Sequence, residues 1–221
     1  MKLKFLYFIL FSSVLSFAQL PSGFVYVNDM IPDLNVELRY YTDYNFVGHP
    51  IDAYNSNCLI LTKQAAEALR LVQLELKEKK LSLKVYDGYR PQQGVNHFMR
   101  WARDLNDTIN KSIFYPNIKK RSLFKAGYIA TRSGHSRGST IDLTIMDTNT
   151  GEVLDMGSPF DFFGEASWVN YSNITAKQKE NRQILQTVML KHGFRNYFKE
   201  WWHFTLRWEP FPNTYFDFPI E

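Results

Sequence analysis

The sequence contains a single cysteine, Cys58, among its 221 residues. One cysteine forms no internal disulfide and has no second thiol with which to build a zinc finger. We interpret Cys58 as a small packed apolar residue. Stability must therefore come from core packing, which 45% hydrophobic and 16% aromatic residues can supply for one domain of this length.

The net charge is also small, because lysine and arginine together exceed aspartate and glutamate by only four. Two of the positive charges, Lys2 and Lys4, lie in a segment that we expect to be removed. The one dense basic run is Lys119-Lys120-Arg121, whose polar surroundings indicate a solvated loop. This balance argues against a surface for nucleic acid, and we predict no nucleic-acid partner.

Long apolar runs are missing after the N-terminus, so we predict no stable membrane insertion of the mature chain. The first 18 residues have the pattern of a secretory signal peptide: Lys2 and Lys4 are charged, Phe5–Leu15 is apolar, and Ser16-Phe17-Ala18 is a small-x-small cleavage site. A membrane anchor is the weaker alternative, because a spanning helix needs ~20 apolar residues.

No cysteine lies at the predicted cleavage site, which argues against a lipid-anchored form. We therefore predict a signal peptide over residues 1–18 and one mature domain over residues 19–221. The protein is expected to be exported, either to the periplasm or as a secreted protein. The sequence sets no oligomeric state.

Helical and strand patterns occur in blocks, without internal repeats or an interdomain linker. Apolar spacing and end signals predict helices over Thr62–Lys80, from Pro91 to about Leu105, and from the Thr175–Gln178 capping box to Gly193. Alternation predicts strands over Asn35–Tyr40, Lys84–Tyr86, Thr140–Ile145 and twice within Phe194–Arg207. We predict a single α+β domain with a mainly antiparallel sheet, flanked by helices and bearing a metal site.

Two short segments contain the residue types of a mononuclear metal centre: residues 133–142, and Glu200-Trp201-Trp202-His203. A catalytic zinc takes three protein ligands of N or O type and keeps a fourth position open. His135, Asp142 and His203 could be those ligands, leaving Glu200 to handle protons. A carboxylate in mid-strand between isoleucine and leucine needs a compensating charge, which a metal would provide.

Each of these residues also has an ordinary explanation. His135 could be a polar loop residue, Asp142 could pair with Arg137, and the two tryptophans of Glu200–His203 could belong to the core. A His-Glu-x-x-His helix is absent, so the commonest zinc peptidase signature is missing. The joint occurrence with Asp87-Gly88-Tyr89-Arg90-Pro91 favours the site.

The combined pattern resembles a known family. Ser-x-His-x-x-Gly-x-x-x-Asp, then Glu-Trp-Trp-His, with Asp-Gly-Tyr-Arg-Pro upstream, is similar to the D-alanyl-D-alanine dipeptidases, zinc enzymes related to vancomycin-resistance dipeptidases and to D,D-carboxypeptidases. Residues 133–145, 156–161 and 200–204 match, as do Leu38-Arg39-Tyr40 and Asn45-Phe46. The similarity covers nearly the whole mature chain.

The resemblance implies one zinc ion per chain, bound by His135, Asp142 and His203, with Glu200 as the catalytic base. It implies that the activity is hydrolysis of the small-molecule dipeptide D-Ala-D-Ala to D-alanine, linked to cell-wall peptide metabolism. We expect Glu200 to take a proton from water and pass it to the leaving amine.

Three further residues match the family pattern. Arg90 is implied to stabilise the transition state, although it could instead be a structural partner of Asp87. Ser133 and Asp161 match in the substrate-binding part, and Asp161 is our candidate for holding the ammonium group, the alternative being a surface carboxylate. We expect the tryptophans that precede His203 to wall the pocket.

Two other functions remain open. A D,D-carboxypeptidase that trims peptidoglycan stem peptides would use the same zinc ligands in an open groove, whereas a dipeptidase needs a small closed pocket. A zinc-stabilised binding domain without catalysis would need neither Glu200 nor Arg90, and the presence of both argues against it.

Overall fold

Five strands form the central sheet, in the order β2-β4-β5-β7-β6. The computed structural model describes residues 20–221, so the predicted signal peptide lies outside the described residues. The strands of this sheet are β2 (Asn35–Val36), β4 (Leu81–Asp87), β5 (Thr140–Asp147), β6 (Phe194–Tyr197) and β7 (Glu200–Leu206). Strands β1 (Phe24–Tyr26) and β3 (Ile60–Thr62) form a separate antiparallel pair.

Three of the four pairings in the central sheet are antiparallel, and only the edge strand β2 runs parallel to its neighbour β4. Six α-helices accompany the strands in the described residues: α1 (Val27–Met30), α2 (Lys63–Lys77), α3 (Gln92–Arg103), α4 (Lys111–Phe114), α5 (Leu123–Ala126) and α6 (Ala176–Lys191). Helix α2 packs on β4, α6 packs on β6, and the two helices contact each other. The predicted α+β fold with a mainly antiparallel sheet is confirmed.

Local sequence determines where helix α6 begins and ends. Its capping box is formed as predicted: the Thr175 hydroxyl accepts from the Gln178 N–H at 3.2 Å, and the Gln178 side chain accepts from the Thr175 N–H at 2.8 Å. Gly193 follows the helix with φ +89°, the left-handed conformation of a C′ glycine.

The predicted strand over Asn35–Tyr40 is wrong after its second residue. The Leu38 N–H bonds to the side chain of Asn57 at 2.9 Å instead of continuing the sheet, and residues Arg39–Tyr41 form a 3₁₀ turn. The Asn45 side chain then donates to the carbonyls of Arg39, Thr42 and His49, which holds the loop together. The consequence is that Tyr40 points inward and is 1% exposed.

Residues 106–125, between α3 and the turn before β5, contain α4, a 3₁₀ turn at Lys120–Ser122 and most of α5. In strand β5, Thr140, Asp142 and Thr144 are buried like the apolar residues between them, because both faces of this central strand are covered. Within residues 20–221, no helix has the length and apolar character needed to cross a bilayer.

Candidate metal centre and active site

A tight turn brings His135 to the end of the central sheet. Residues Gly134–Arg137 form a 3₁₀ turn capped by Ser133, whose hydroxyl accepts from the His135 N–H at 3.2 Å. Gly138 reverses the chain into β5 with φ +80°, and a Cβ there would lie 2.2 Å from a ring carbon of Phe24. Only glycine satisfies both the conformation and the space.

Asp142 and His203 face each other on neighbouring strands, in antiparallel register. His203 Nδ1 lies 3.0 Å from Asp142 Oδ1, and His135 Nε2 lies 3.3 Å from both Asp142 Oδ2 and His203 Nδ1. One ligand atom from each of the three side chains falls within a 4.8 Å cluster, and no other group of this kind occurs in the described residues.

These separations fit a shared metal ion. Bonds of about 2.0–2.1 Å in a tetrahedral zinc site place the ligand atoms about 3.3–3.4 Å apart. Asp142 Oδ1 is buried without a hydrogen-bond donor, although His203 Nδ1 is close, which a common ion would explain. The donor set of two imidazoles and one carboxylate suits a catalytic zinc with an open fourth position.

A second set of contacts orients His135. Its Nδ1 donates to the Gly88 carbonyl at 2.7 Å, so Nε2 is the nitrogen directed at the site. Ligating imidazoles commonly donate their other N–H in this way, because the bond fixes the tautomer and the ring. The turn after β4 therefore supports a residue 47 positions away in the chain.

Glu200 opens β7, three residues before His203, and its Oε2 lies 3.3 Å from His203 Nδ1. It is half-buried and borders the cleft. Burial raises the pKa of Glu200 above its ordinary value, against the opposing influence of His203. A carboxyl group adjacent to the cluster with a raised pKa has the position and the proton affinity of a general base.

The alternative partner for Asp142 is excluded by the structure. Arg137 instead binds Glu209 through Nε at 2.7 Å and Nη2 at 2.8 Å. Arg90 does approach Asp142, at 3.6 Å, but its closer partner is Asp87 at 2.9 Å from Nε and 2.8 Å from Nη2. The structural pairing of Arg90 with Asp87 is therefore present, and Arg90 lines the cleft as well.

Asp161 lies inside the molecule, 6% exposed, and it also lines the cleft. Its Oδ2 accepts a hydrogen bond of 2.7 Å from the Tyr40 hydroxyl, and its φ of +60° is unusual for a residue other than glycine. Burial raises the pKa of Asp161 well above its ordinary value, and the nearby charge of Asp142 adds to this. A surface carboxylate is excluded.

The cleft has a volume of about 270 Å³, at the small end of the ~300–1,000 Å³ common for ligand pockets. Ser133, Arg90, Asp161, Glu200 and the three clustered residues border it. Its walls also contain six aromatic side chains: Tyr40, Phe46, Phe98, Tyr128, Phe163 and Tyr197.

The expectation that Trp201 and Trp202 wall the cleft is wrong. Both are buried in the core, at 3% and 2% exposure. Trp202 packs edge-to-face on Phe160, with ring centroids 5.4 Å apart, while the Trp201 indole N–H donates to Ser158 at 3.0 Å. Their large apolar rings pack in the core behind the site and stabilise β7.

Sequence reasoning missed the contributions of Tyr40 and Tyr54. Tyr40 bonds to Asp161, 121 residues away, and Tyr54 donates to Asp87 at 2.7 Å across 33 residues. The only sequence signal was that Tyr40 stands in a segment that matches the family pattern. Asp87 was considered only as a partner of Arg90.

Comparison with known proteins agrees with this geometry. A family model described as D-Ala-D-Ala dipeptidase matches residues 21–221. The chain belongs to this family. It is therefore an enzyme, a metallopeptidase, as the resemblance in its motifs predicted.

Members of the family from several bacteria are similar to this chain along most of their length. The D-alanyl-D-alanine dipeptidase of Enterococcus faecalis is 42% identical over 200 residues, covering 90% of this chain and 99% of the relative. That of Enterococcus faecium is 40% identical over 205 residues, with 90% and 98% covered. The Escherichia coli protein of the same name is 32% identical over 177 residues, with 80% and 81% covered.

Proposed function

We propose that this chain is a zinc-dependent dipeptidase that hydrolyses free D-Ala-D-Ala to D-alanine. The observation that carries the proposal is the cluster of His135, Asp142 and His203 at the base of a small cleft, with Glu200 beside it and Asp161 in its wall. The names of the relatives support the substrate. The chemistry links the enzyme to the metabolism of cell-wall peptides.

His135, Asp142 and His203 would hold the zinc ion, one per chain. When bound there, zinc supplies a Lewis acid that activates water near neutral pH and polarises a carbonyl group. Glu200 would accept the proton of the attacking water and deliver it to the leaving amine, a role that requires it to be outside the ligand set. The 3.3 Å distance between Glu200 Oε2 and His203 Nδ1 supports this role.

Arg90 would hold its guanidinium against the oxygen that becomes negative in the transition state. Removing one such donor costs about 3–4 kcal/mol in enzymes of acyl transfer. Asp161 would bind the ammonium group of the dipeptide. This buried carboxyl accepts a hydrogen bond from Tyr40, and the ammonium group would supply the counter-charge that stabilises its ionised form. Ser133, at the rim of the same cleft, would add a hydrogen bond to the substrate.

A D,D-carboxypeptidase acting on longer stem peptides would have to leave the N-terminal side of the cleft open. A buried carboxylate there favours a substrate that ends in a free ammonium group at this point. The dipeptidase is therefore the function that the cleft supports best.

The test is a panel of four substrates given to the purified, zinc-loaded protein: D-Ala-D-Ala, L-Ala-L-Ala, N-acetyl-D-Ala-D-Ala and a stem pentapeptide ending in D-Ala-D-Ala. Release of free alanine of either configuration is measured by amino-acid chromatography, and bound metal by elemental analysis. We expect rapid turnover of the first substrate alone. Equal or faster turnover of the pentapeptide would assign the chain as a carboxypeptidase, and no turnover of any substrate would refute the proposal.

We also propose that residues 1–18 are a signal peptide and that the mature enzyme works outside the cytoplasm, in the periplasm or as a secreted protein. Its support is the charged, apolar and small-residue sequence of that segment. N-terminal sequencing of protein recovered from cell fractions tests this. A mature chain that begins at Gln19 in the periplasmic or extracellular fraction is expected, and an intact Met1 terminus confined to the cytoplasm would contradict it.

A further inference from the structure

The side chain of Asp87 is fully buried at the end of β4, directly beside the metal cluster, yet it is not one of the clustered residues. Its strand neighbour across the sheet is Asp142, and the ladder is irregular between Val85 and Asp87. A buried carboxylate next to another carboxylate is costly unless it is paired. The partners of Asp87 therefore have to compensate for the cost of burying its charge.

Both oxygens of Asp87 are used. Oδ2 receives Arg90 Nε at 2.9 Å and Nη2 at 2.8 Å and also lies 3.4 Å from His135 Nδ1, while Oδ1 accepts from the Tyr54 hydroxyl at 2.7 Å. Tyr54 is itself 4% exposed and is held by a bridge to Ile220 near the C-terminus. The carboxylate is thus fixed on one side by Tyr54, and it grips one edge of the Arg90 guanidinium on the other.

This arrangement determines which donors of Arg90 face the cleft. Nε and Nη2 are engaged with Asp87, and in the described part of the chain no hydrogen bond or ion pair involves Nη1. The aromatic rings of Tyr40 and Phe98 lie against the guanidinium, 4.9 Å and 5.1 Å from its central carbon. Rotation is therefore restricted, and the guanidinium edge that contains Nη1 is left for a ligand.

Without Asp87, the nearest carboxylate to Arg90 would be Asp142, already 3.6 Å from Nη2. A guanidinium released from Asp87 would move toward that oxygen, away from the position of a substrate carbonyl. The pairing with Asp87 prevents this movement.

We propose that Asp87 is a positioning residue that acts through Arg90, holding the guanidinium where it meets the developing oxyanion, with Tyr54 fixing Asp87 in turn. This inference rests on the proposed function, since it assigns Arg90 to transition-state stabilisation. Residues that orient metal ligands contribute about 10–100-fold to activity, and we expect an effect of the same order for a residue that orients Arg90.

A double-mutant cycle on the zinc-loaded enzyme tests this. Asp87→Asn keeps the shape and removes the charge; we expect kcat for D-Ala-D-Ala to fall about 10–100-fold, with KM changed by less than about threefold and zinc retained. In an Arg90→Ala background the same substitution should change kcat by less than about twofold, because the group it acts through is gone. Asp33→Asn, which alters a surface ion pair with Lys77, is the matched control and should leave kcat unchanged.

Tyr54→Phe gives a second, milder test that leaves the carboxylate in place. We expect kcat to fall about threefold to tenfold, again only when Arg90 is present. Tyr115→Phe is its control, since the Tyr115 hydroxyl is equally buried but makes no hydrogen bond in the described structure. If Asp87→Asn lowers kcat by the same factor in the Arg90→Ala background as in the wild-type enzyme, the inference is overturned. A wild-type enzyme that fails to hydrolyse the dipeptide would instead refute the proposed function.

Discussion

His203 and Asp142 occupy opposite positions on β7 and β5, with His203 Nδ1 3.0 Å from Asp142 Oδ1. This cross-strand pair gives the candidate metal centre its rigid half, because two hydrogen-bonded strands fix both backbones. His135 arrives from a turn and closes the cluster at 3.3 Å from each partner. The predictions below separate residues that would hold the metal from those that would act beside it.

Replacing His203 by alanine should remove the metal. Loss of one of three ligands leaves two side chains, which is too few to retain a catalytic ion through dialysis. Zinc content by elemental analysis should fall from about one equivalent to near zero, and hydrolysis should be lost with it. His97→Ala, a histidine that contacts Asp52 away from the cleft, should keep its metal. Unchanged zinc in the His203 variant would rule out this ligand.

Glu200→Ala should also lose hydrolysis, but unlike the His203 variant it should retain zinc. A general base contributes about 10²–10⁴-fold to the rate, so kcat should fall by that factor. The matched control is Glu67→Ala, which removes an exposed carboxylate on α2. If zinc were lost together with activity, Glu200 would have to be reassigned as a ligand.

Metal binding should strengthen as the pH rises. In the metal-free protein, burial alone would lower the pKa of His203, but the Asp142 carboxylate 3.0 Å away outweighs it and raises the pKa above 6.5. A metal must displace that proton, so its apparent affinity should increase up to about tenfold per pH unit until the raised pKa is passed. Competition with a chelator at several pH values measures this, and an affinity independent of pH would contradict it.

The raised pKa of His203 also predicts that the metal-free protein becomes less stable as the pH rises. A raised pKa means that the folded state binds the proton more tightly than the unfolded chain does. The contribution of His203 to the free energy of unfolding is complete below 6.5 and is lost as the pH rises through the raised pKa. Denaturant titrations of the metal-free protein should show this loss, and His203→Ala should abolish it.

Asp161→Ala should weaken the binding of free dipeptides selectively. Its buried carboxylate would otherwise meet the substrate ammonium, so KM for D-Ala-D-Ala should rise about tenfold or more, as expected for a charge-assisted hydrogen bond. KM for the N-acetylated dipeptide, which has no ammonium, should change little. Asp155→Ala, a carboxylate that bonds Gln178 outside the cleft, serves as the control. Equal effects on both substrates would refute the ammonium role.

Local patterns predicted the parts of this structure that depend on near neighbours. The capping box at Thr175 and the C′ glycine at Gly193 both formed as expected, because each involves contacts within a few residues. The strand predicted over Asn35–Tyr40 was wrong because a side chain 19 residues away, that of Asn57, takes the Leu38 N–H. Periodicity contains no information about such a partner.

The α+β class, the family and the residue types of the metal centre could all be read from the amino-acid sequence. These follow from periodicity, from end signals and from two motifs whose residue types are those of a zinc centre. Three features became known only from the folded chain: Arg137 binds Glu209 rather than Asp142, Tyr40 bonds to Asp161, and the two tryptophans before His203 lie in the core. The physical reason is that a buried polar group is stabilised by whichever partner the fold brings within about 3 Å, and distance along the chain does not specify that partner.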